Sequence, residues 1–491
     1  MNRDEGWLVA IAIAAGIGAV VGERSAPGAG GLYLLVAVAA LAACWVALRE
    51  SMRRDTASAW RRRVRVFGVS VGVMCICAGS MQRSLDGLAH HSLSRSVGQR
   101  AAVEIRGTIV DDAAMTKFAA TALLRASSVR VARGAWLAFD RTVLLRGSAR
   151  NSGAVGALEA TDTVTIVGDL STLSGFDARW QWKHAVARVE VFEVQELRRS
   201  RNPLYRISNG LRAWISNGLI LIPADDRALL SGFLLGDTRQ ISDTTVTTFR
   251  DAGLSHLLAV SGANVAFVLV LIGPILKRRS FGARFVIGVS VVVVFAAMTR
   301  FEPSVMRASA MALIVMLARL SGRSVSGLRA LSYTVVALIA IDPFLIHSVG
   351  FQLSVAACAG IVLIGTGLQA RLPGPRWMRA ALAVSLAAQI GVAPVLLLTF
   401  GATSWVAPAA NLFAVPAAEP ITVIGLPLAF IGAVVAPIAP VAALARVGFL
   451  VVQWLLAWVR FVGRVGSERP LLVSIAAVVV VFGAWRLDSR P

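Results

Sequence analysis

Long apolar runs dominate this chain and restrict it to folds that use lipid as their solvent. Hydrophobic residues make up 56% of its 491 residues and charged residues only 15%, whereas soluble domains carry about 25% charged residues. Twelve apolar runs follow one another, at 7–21, 31–48, 64–79, 254–276, 281–298, 305–320, 331–341, 349–368, 380–400, 406–437, 441–459 and 471–485. Because lipid leaves no water for backbone groups, we expect a polytopic α-helical membrane protein with about 11–13 spans.

The arginines predict how the chain is threaded through the membrane. The net charge is +22, and seven arginines lie within residues 49–65, between the second and third runs. Cytoplasmic loops collect Lys and Arg, so this loop and the N-terminus are expected in the cytoplasm. Residues 1–80 then form a three-span segment of a multi-pass protein of the cell (inner) membrane, and the residues that follow are exported.

Residues 100–198 have a different pattern, in which β-branched residues alternate between turn signals. Five strands are expected, at 103–110, 121–131, 136–146, 162–170 and 186–197. Short strands with no long helix between them favour a small β-barrel or sandwich, and an OB-like barrel is the leading interpretation. The predicted fold class is therefore a helical membrane bundle with an extracytoplasmic, OB-like β domain.

Residues 203–222 have the periodicity of an amphipathic helix. Apolar residues recur at 204, 207, 211, 215 and 219, while Arg206, Asn209 and Arg212 occupy polar positions. An interfacial helix is expected, with a buried helix of the exported domain as the alternative.

Residues 228–486 are expected to form the main transmembrane domain. Its prolines at 408, 416, 420 and 427 leave open whether residues 406–437 cross the membrane or re-enter it. Glu419, between two of these prolines, favours a discontinuous helix.

Polar side chains inside membrane spans are costly and mark candidate positions along a water-filled path. On one helix, His256, Ser261 and Asn264 would project within about 140° of one another. Two structural alternatives remain: residues 261–263 also suit close helix packing, and Arg307 could extend to the membrane surface. The predicted path residues are His256, Ser261, Asn264, Arg307, Gln352, Gln389, Asn411 and Glu419.

The sequence offers no convincing motif set for catalysis or metal binding. It contains no GxxxxGK[ST], so no Walker ATPase is expected, and the absence of HExxH and of a third catalytic partner for His256 and Ser261 disfavours an intramembrane hydrolase. The five histidines and four cysteines lack the spacing of metal ligands. We expect no metal, no other cofactor and no enzymatic activity.

Several motifs occur in an order that resembles the ComEC/Rec2 family of competence membrane proteins. They are LGDTR at 235–239, AGLSHLLAVSG at 252–262, PSVMRA at 303–308, DP at 342–343, GFQLS at 350–354 and PAANL at 408–412. The chain departs from the family at Asn264, where histidine is usual, so a hydrogen-bonding role survives there but a role for an imidazole does not. Many members also carry a metallo-β-lactamase-like domain that is missing after residue 485, so we expect no nuclease activity.

The resemblance implies an inner-membrane channel that passes single-stranded DNA into the cytoplasm during natural transformation. Each phosphate that moves into a negative interior costs roughly 2.3 kcal/mol per 100 mV, so a partner must supply work. The expected partners are single-stranded DNA, the lipid bilayer, an exported DNA receptor, a separate nuclease, and a cytosolic ATPase, helicase or single-strand-binding protein. A homo-oligomer, a transporter of a small or lipid-linked solute, and a membrane enzyme remain open alternatives.

The exported domain would meet the strand first. Residues 80–200 carry 16 Lys and Arg against 12 Asp and Glu, a net of +4 that suits weak, salt-sensitive attraction. Aromatic side chains of OB-type domains stack on bases, although each one also suits a core or membrane contact. The predicted DNA contacts are Phe176, Arg179, Trp180, Trp182 and Lys183.

Overall fold

The computed structural model describes residues 6–53, 58–89, 101–115, 119–132, 134–148, 151–200, 202–258, 260–401 and 404–488. The chain divides into two compact units, one of residues 1–206 and 332–348 and the other of residues 207–331 and 349–491. The N-terminal residues 1–5, Arg54 of the predicted cytoplasmic loop and residue 100 lie outside the described residues.

Twelve apolar helices confirm the predicted polytopic class. Among the described residues, eight helices are long and apolar enough to cross a membrane: Gly6–Arg24, Arg63–Ala89, Phe281–Met298, Pro303–Leu320, Val349–Arg371, Met378–Phe400, Ala407–Val435 and Pro440–Glu468. Four shorter apolar helices are Gly30–Val46, Gly262–Pro274, Gly327–Ile341 and Pro470–Phe482. These twelve helices fall on the twelve apolar runs of the sequence.

Three helices begin the first unit: α1 (Gly6–Arg24), α2 (Gly30–Arg53) and α3 (Ser58–Ala89). The buried amide of Gln82 on α3 fixes α1, because its Nε2 donates to the carbonyl of Gly22 and to that of Ser25, the latter at 3.1 Å. These bonds satisfy two carbonyls at the C-terminal end of α1, where a helix has no intrahelical donors of its own.

A closed five-stranded barrel follows α3, as the alternating pattern predicts. Its strands are β1 (Ala102–Ile109), β3 (Ala120–Val131), β4 (Leu137–Gly147), β5 (Thr163–Ser171) and β6 (Ala185–Arg198), and the short β2 (Ala114–Met115) pairs antiparallel with the start of β3. The order β1-β5-β6-β4-β3 closes through pairing of β3 with β1, and only β4 and β6 run parallel. This topology, with a short helix α4 (Ser152–Gly156) between β4 and β5, is OB-like.

The barrel core consists of the inward-facing residues of each strand. Ile105, Leu124, Val143, Leu145 and Ile166 are fully buried in it, while the neighbouring Leu123 and Leu144 belong to a second, smaller buried cluster. Alternation of this kind stabilises a barrel through apolar burial alone.

Helices α5 to α17 follow: α5 (Pro203–Gly218), α6 (Ala224–Leu235), α7 (Asp243–Asp251), α8 (Ser255–Leu258), α9 (Gly262–Leu276), α10 (Phe281–Met298), α11 (Pro303–Leu320), α12 (Gly327–Ile341), α13 (Val349–Arg371), α14 (Arg376–Phe400), α15 (Ala407–Val435), α16 (Ala439–Glu468) and α17 (Pro470–Asp488). The main core of the second unit is shared by α6, α7, α15 and α16, with Leu230, Phe249, Ile421 and Phe449 buried in it.

The prediction of a discontinuous helix at Glu419 is wrong, because α15 is one uninterrupted helix of 29 residues. Pro416, Pro420 and Pro427 lie within about 40° of one another on its surface, so the missing hydrogen bonds fall on one side and the helix can bend without breaking. At 1.5 Å per residue the helix is about 43 Å long, more than a hydrocarbon core of about 30 Å, which argues against a re-entrant hairpin.

Helix α5 occurs where the amphipathic pattern predicts it, but Arg212 is buried and does not belong to a polar surface. Its Nη1 donates to the carbonyl of Met298 at 2.5 Å and to that of Leu235 at 3.4 Å, and its Nη2 lies 3.6 Å from Asp237. Burial opposes ionisation of Asp237, yet the Arg239 guanidinium, bonded to it at 2.6 and 2.8 Å, holds the pKa of that carboxyl below its ordinary value. Arg212 therefore joins α5 to α6 and α10; the interfacial position of α5 stays a prediction.

Candidate functional site

Polar residues gather where α9 begins in the second unit. Ser261 donates from Oγ to Asn264 Oδ1 at 3.1 Å, and the buried Asn264 donates from Nδ2 to the carbonyl of Phe233 at 3.0 Å. Ser304 at the start of α11 donates to the carbonyl of Val260 at 2.7 Å. The prediction that one helix carries His256, Ser261 and Asn264 is wrong, because α8 ends at Leu258 and α9 begins at Gly262. Ser261 and Asn264 nevertheless lie together, and these bonds tie the start of α9 to α6 and α11.

Arg307 on α11 is 8% exposed and turns towards α13. Its Nε donates to Ser354 Oγ at 2.6 Å, and its Nη1 lies 2.7 Å from Cys358 Sγ and 3.3 Å from Met311 Sδ. These contacts exclude the alternative in which Arg307 extends to the membrane surface. No carboxylate in the described part of the chain pairs with it, although a buried charge without a counter-charge is costly.

The Arg307 guanidinium lies against the first residue of α9. A Cβ added at Gly262 would be 2.8 Å from Arg307 Nη2 and 3.0 Å from the Ala308 Cβ, so an alanine there would displace the guanidinium. We call Ser261, Gly262, Asn264, Arg307, Ser354 and Cys358 the Arg307 cluster. It unites residues of α9, α11 and α13 that are distant in sequence.

The other predicted path residues are placed separately. His256 on α8 and Glu419 on α15 are exposed, whereas Gln352 on α13 and Gln389 on α14 are half-buried. Asn411 on α15 is buried, and its Oδ1 accepts no hydrogen bond from the residues that the structure describes. Within those same residues, no hydrogen bond joins Gln389, Asn411 or Glu419 to the Arg307 cluster.

Sequence reasoning missed Ser354 and Cys358 as partners of Arg307. The sequence predicts that Cys358 is a small buried hydrophobe, and it marks Ser354 only as part of the GFQLS motif. The available signal is their spacing of four residues, which puts both on one side of α13.

A second group of predicted residues lies on the loop between β5 and β6 of the barrel. This loop forms the 3₁₀ segment Gly175–Lys183, fixed by the buried Asp177, which pairs with Arg188 at 2.9 Å and with Arg146 at 3.4 Å. Lys183 Nζ lies 3.4 Å from Asp111 Oδ2, on the loop that follows β1. In OB-type barrels these two loops flank the face that binds oligonucleotides.

The aromatic residues of this loop differ in exposure. Phe176 is 74% exposed, and the guanidinium carbon of Arg179 lies 3.6 Å from the centre of its ring. Trp180 packs on the small buried cluster of Leu123, Leu144 and Ala185. Phe176 and Arg179 therefore form an accessible pair on the loop, where Lys183 is exposed as well.

Trp182 makes contacts within the first unit. Its ring stacks on His347 with centroids 3.8 Å apart and meets Phe344 edge-on at 5.6 Å. Both partners belong to the 3₁₀ turn Pro343–His347, and His347 Nε2 lies 3.2 Å from Glu23 Oε2. One face of the Trp182 ring is therefore covered by the protein itself.

Two carboxyl groups of the barrel have shifted pKa values. The hydrogen bond from Arg125 lowers the pKa of Asp140. Burial raises the pKa of Asp162, against hydrogen bonds from the Glu159 N–H at 3.1 Å and from Arg199 Nη1 at 2.6 Å. Among the described residues, no three His, Cys, Asp or Glu side chains form a group that could hold a metal.

The helices and the barrel together define a multi-pass membrane protein that carries an OB-like domain. The family model described as Competence protein matches residues 233–490, slightly more than half of the chain, and the chain belongs to this family. The matched region contains the Arg307 cluster.

Two curated proteins illustrate the similarity. ComE operon protein 3 of Bacillus subtilis (strain 168) is 22% identical over 353 residues, which cover 68% of this chain and 43% of that protein. Uncharacterized protein YcaI of Escherichia coli (strain K12) is 25% identical over 221 residues, which cover 41% of this chain and 29% of that protein. The chain thus spans less than half the length of these relatives. No solved structure matches it significantly.

Proposed function

We propose that this protein is an inner-membrane channel that passes single-stranded DNA into the cytoplasm during natural transformation. Membership of the Competence protein family supports a role in DNA uptake, and the apolar helices support a membrane path. The observation that carries the proposal is the exposed Phe176–Arg179 pair on the loop that flanks the oligonucleotide face of an OB-like barrel.

Phe176 and Arg179 suit capture of a single strand of any sequence. A base stacked on an aromatic ring is worth about 1–3 kcal/mol by alanine substitution, and every base offers such a face. The net charge of +4 over residues 80–200 adds a weak attraction that falls with salt. The barrel therefore binds the strand loosely enough to release it to the membrane domain.

The direction of transport requires partners. We infer that the N-terminus is cytoplasmic and the barrel extracytoplasmic, because the arginine-rich residues 49–65 belong on the cytoplasmic side. Import of each phosphate against the membrane potential costs roughly 2.3 kcal/mol per 100 mV. A cytosolic ATPase, helicase or strand-binding protein supplies this work. An exported receptor and a separate nuclease deliver one strand to the channel. The channel is either a monomer or a homo-oligomer.

Deletion of the gene in a transformable host tests the channel. Binding and outer uptake of labelled DNA should persist, and arrival of a single strand in the cytoplasm should stop. Normal arrival of single-stranded DNA in the cytoplasm of the deletion strain would refute the proposal.

The role of the loop is tested by the double change Phe176→Ala and Arg179→Ala in the full-length protein. Affinity for an oligothymidylate should fall by about 10-fold or more if one stacked base is lost. Phe192→Ala is the matched control, because Phe192 is an exposed aromatic (55%) on strand β6 and not on the loop. Equal affinities of the two variants would show that the loop does not bind DNA.

A further inference from the structure

Two positive groups lie close together in the Arg307 cluster, and no carboxylate in the described part of the chain pairs with the guanidinium. One is the Arg307 guanidinium, which is 8% exposed, and the other is the N-terminus of α9, a helix of 15 residues. A helix N-terminus carries roughly half a positive charge on its free N–H groups. We propose that the two form a binding site for the singly charged oxyanion of a phosphodiester.

The donors of this site are Arg307 Nη2 and the first N–H groups of α9, of which that of Asn264 already donates to the carbonyl of Ser261 at 3.1 Å. Arg307 uses Nε and Nη1 on Ser354, Met311 and Cys358, whereas its Nη2, beside Gly262, makes no hydrogen bond to any residue described. The first turn of α9 has no side-chain cap, because the hydroxyl of Ser261 is directed to Asn264 Oδ1 and not to a backbone N–H. An oxyanion placed there accepts from both groups at once.

The surroundings hold the guanidinium in place for such a ligand. Ser354 and Cys358 fix one edge of its plane, and the missing side chain of Gly262 lets the other edge reach the helix end. A side chain that served only to join α11 to α13 could do so with neutral hydrogen bonds. The unmatched charge is what a bound anion would neutralise.

The chemistry of the donors favours a phosphodiester. Arginine presents a planar fork that matches phosphate oxygens, and helix N-termini bind phosphate through backbone N–H groups. One guanidinium and the half charge of a helix end sum to about +1.5, which suits the single negative charge of a phosphodiester better than a dianion. DNA backbone and phospholipid headgroups share this group; the assignment to DNA rests on the proposed function, in which the strand passes this site.

Thermal unfolding of the full-length protein in detergent tests the site, with sodium phosphate compared with sodium chloride at equal ionic strength. Phosphate should raise the Tm of the wild type, and Arg307→Gln should abolish the rise. Arg319→Gln, an exposed arginine on the same helix, is the matched control and should keep it. An equal rise in wild type and Arg307→Gln, or no rise in the wild type, would overturn the proposal.

A second variant covers the case in which Arg307→Gln does not fold. Gly262→Ala keeps the arginine but places a methyl group 2.8 Å from Nη2, so it should weaken phosphate binding about 10- to 100-fold, the loss expected for a charged hydrogen bond. Undiminished phosphate binding in Gly262→Ala would contradict the assigned position of the oxyanion.

Competition identifies the source of the phosphodiester. An oligothymidylate should displace phosphate from wild-type protein, whereas displacement only by phosphatidylglycerol in nanodiscs would refute DNA as the ligand. If phosphate does not raise the Tm of the wild-type protein but the deletion strain fails to import DNA, the anion site is refuted and the channel proposal is retained. An intact, DNA-competed site with normal DNA entry in the deletion strain would refute the channel.

Discussion

Replacing Gly360 by alanine should push α13 away from α14, whereas the same change at Gly367 should not. A Cβ at Gly360 would be 2.2 Å from the carbonyl oxygen of Ala387, and one at Gly391 would be 2.3 Å from that of Ala356. The two backbones therefore touch along small residues spaced by four, as in many membrane helix pairs. Gly367, also on α13, has no atom within 4 Å of its added Cβ.

The size of the effect follows from this geometry. Carbon and carbonyl oxygen approach to about 3.3 Å, so the helices would have to separate by about 1 Å at Gly360. Overpacking of this kind costs about 1–3 kcal/mol, while the helix gains about 0.5–1 kcal/mol when alanine replaces glycine. Gly367→Ala should therefore stabilise the protein slightly, and Gly360→Ala should be less stable than Gly367→Ala by about 1–3 kcal/mol.

Unfolding of the two variants in the same detergent, followed by circular dichroism, measures this difference. Because both changes convert glycine to alanine on one helix, helix propensity cancels and only the contact with α14 differs. Equal stability of the two variants would refute the close packing of α13 on α14.

Three further predictions concern other parts of the chain. Arg212→Gln should lower stability by about 1–3 kcal/mol because it removes donors to buried carbonyls, while the exposed Arg319→Gln changes little; thermal unfolding checks both. Because burial raises the pKa of Asp162 in the folded state, its carboxylate destabilises the fold above that pKa, so wild type should gain stability relative to Asp162→Asn as pH falls from about 7 to 4. Trp182→Ala should destabilise the first unit by about 1 kcal/mol or more and leave oligothymidylate affinity unchanged, because its ring packs on His347 with one face and also contacts Phe344.

The sequence predicts the elements of this fold well because its periodicities are local. All five predicted strands occur within a few residues of the expected positions, since alternating burial determines both the pattern and the barrel core. Strand β2 is missed because two residues carry no periodicity. The parallel pairing of β4 with β6 is equally invisible, since no local pattern shows which distant strand is a neighbour.

The candidate site is harder to predict, because its geometry depends on tertiary contacts. Polar residues in apolar runs mark Ser261, Asn264 and Arg307, but the partners of Arg307 on α13 look like ordinary small residues. The prolines of α15 mislead for the opposite reason. Prolines usually predict a break in a helix, but these three lie on one side of α15, so the helix bends there and stays continuous.

Helix α13 connects the close packing on α14 with the proposed anion site. Ser354 and Cys358 face Arg307 on one side of the helix, and Ala356 and Gly360, turned by about 200° from them, touch α14 on the other. A shift of α13 against α14 therefore moves both groups that hold the guanidinium. If the oxyanion site is correct, Gly360→Ala should weaken phosphate binding as well as stability, although Gly360 lies on the face away from Arg307. Gly367→Ala should leave phosphate binding unchanged and stabilise the protein only slightly. Measured together, the two variants test whether anion binding by Arg307 depends on the packing of α13 against α14. Equal phosphate binding in both variants would show that it does not.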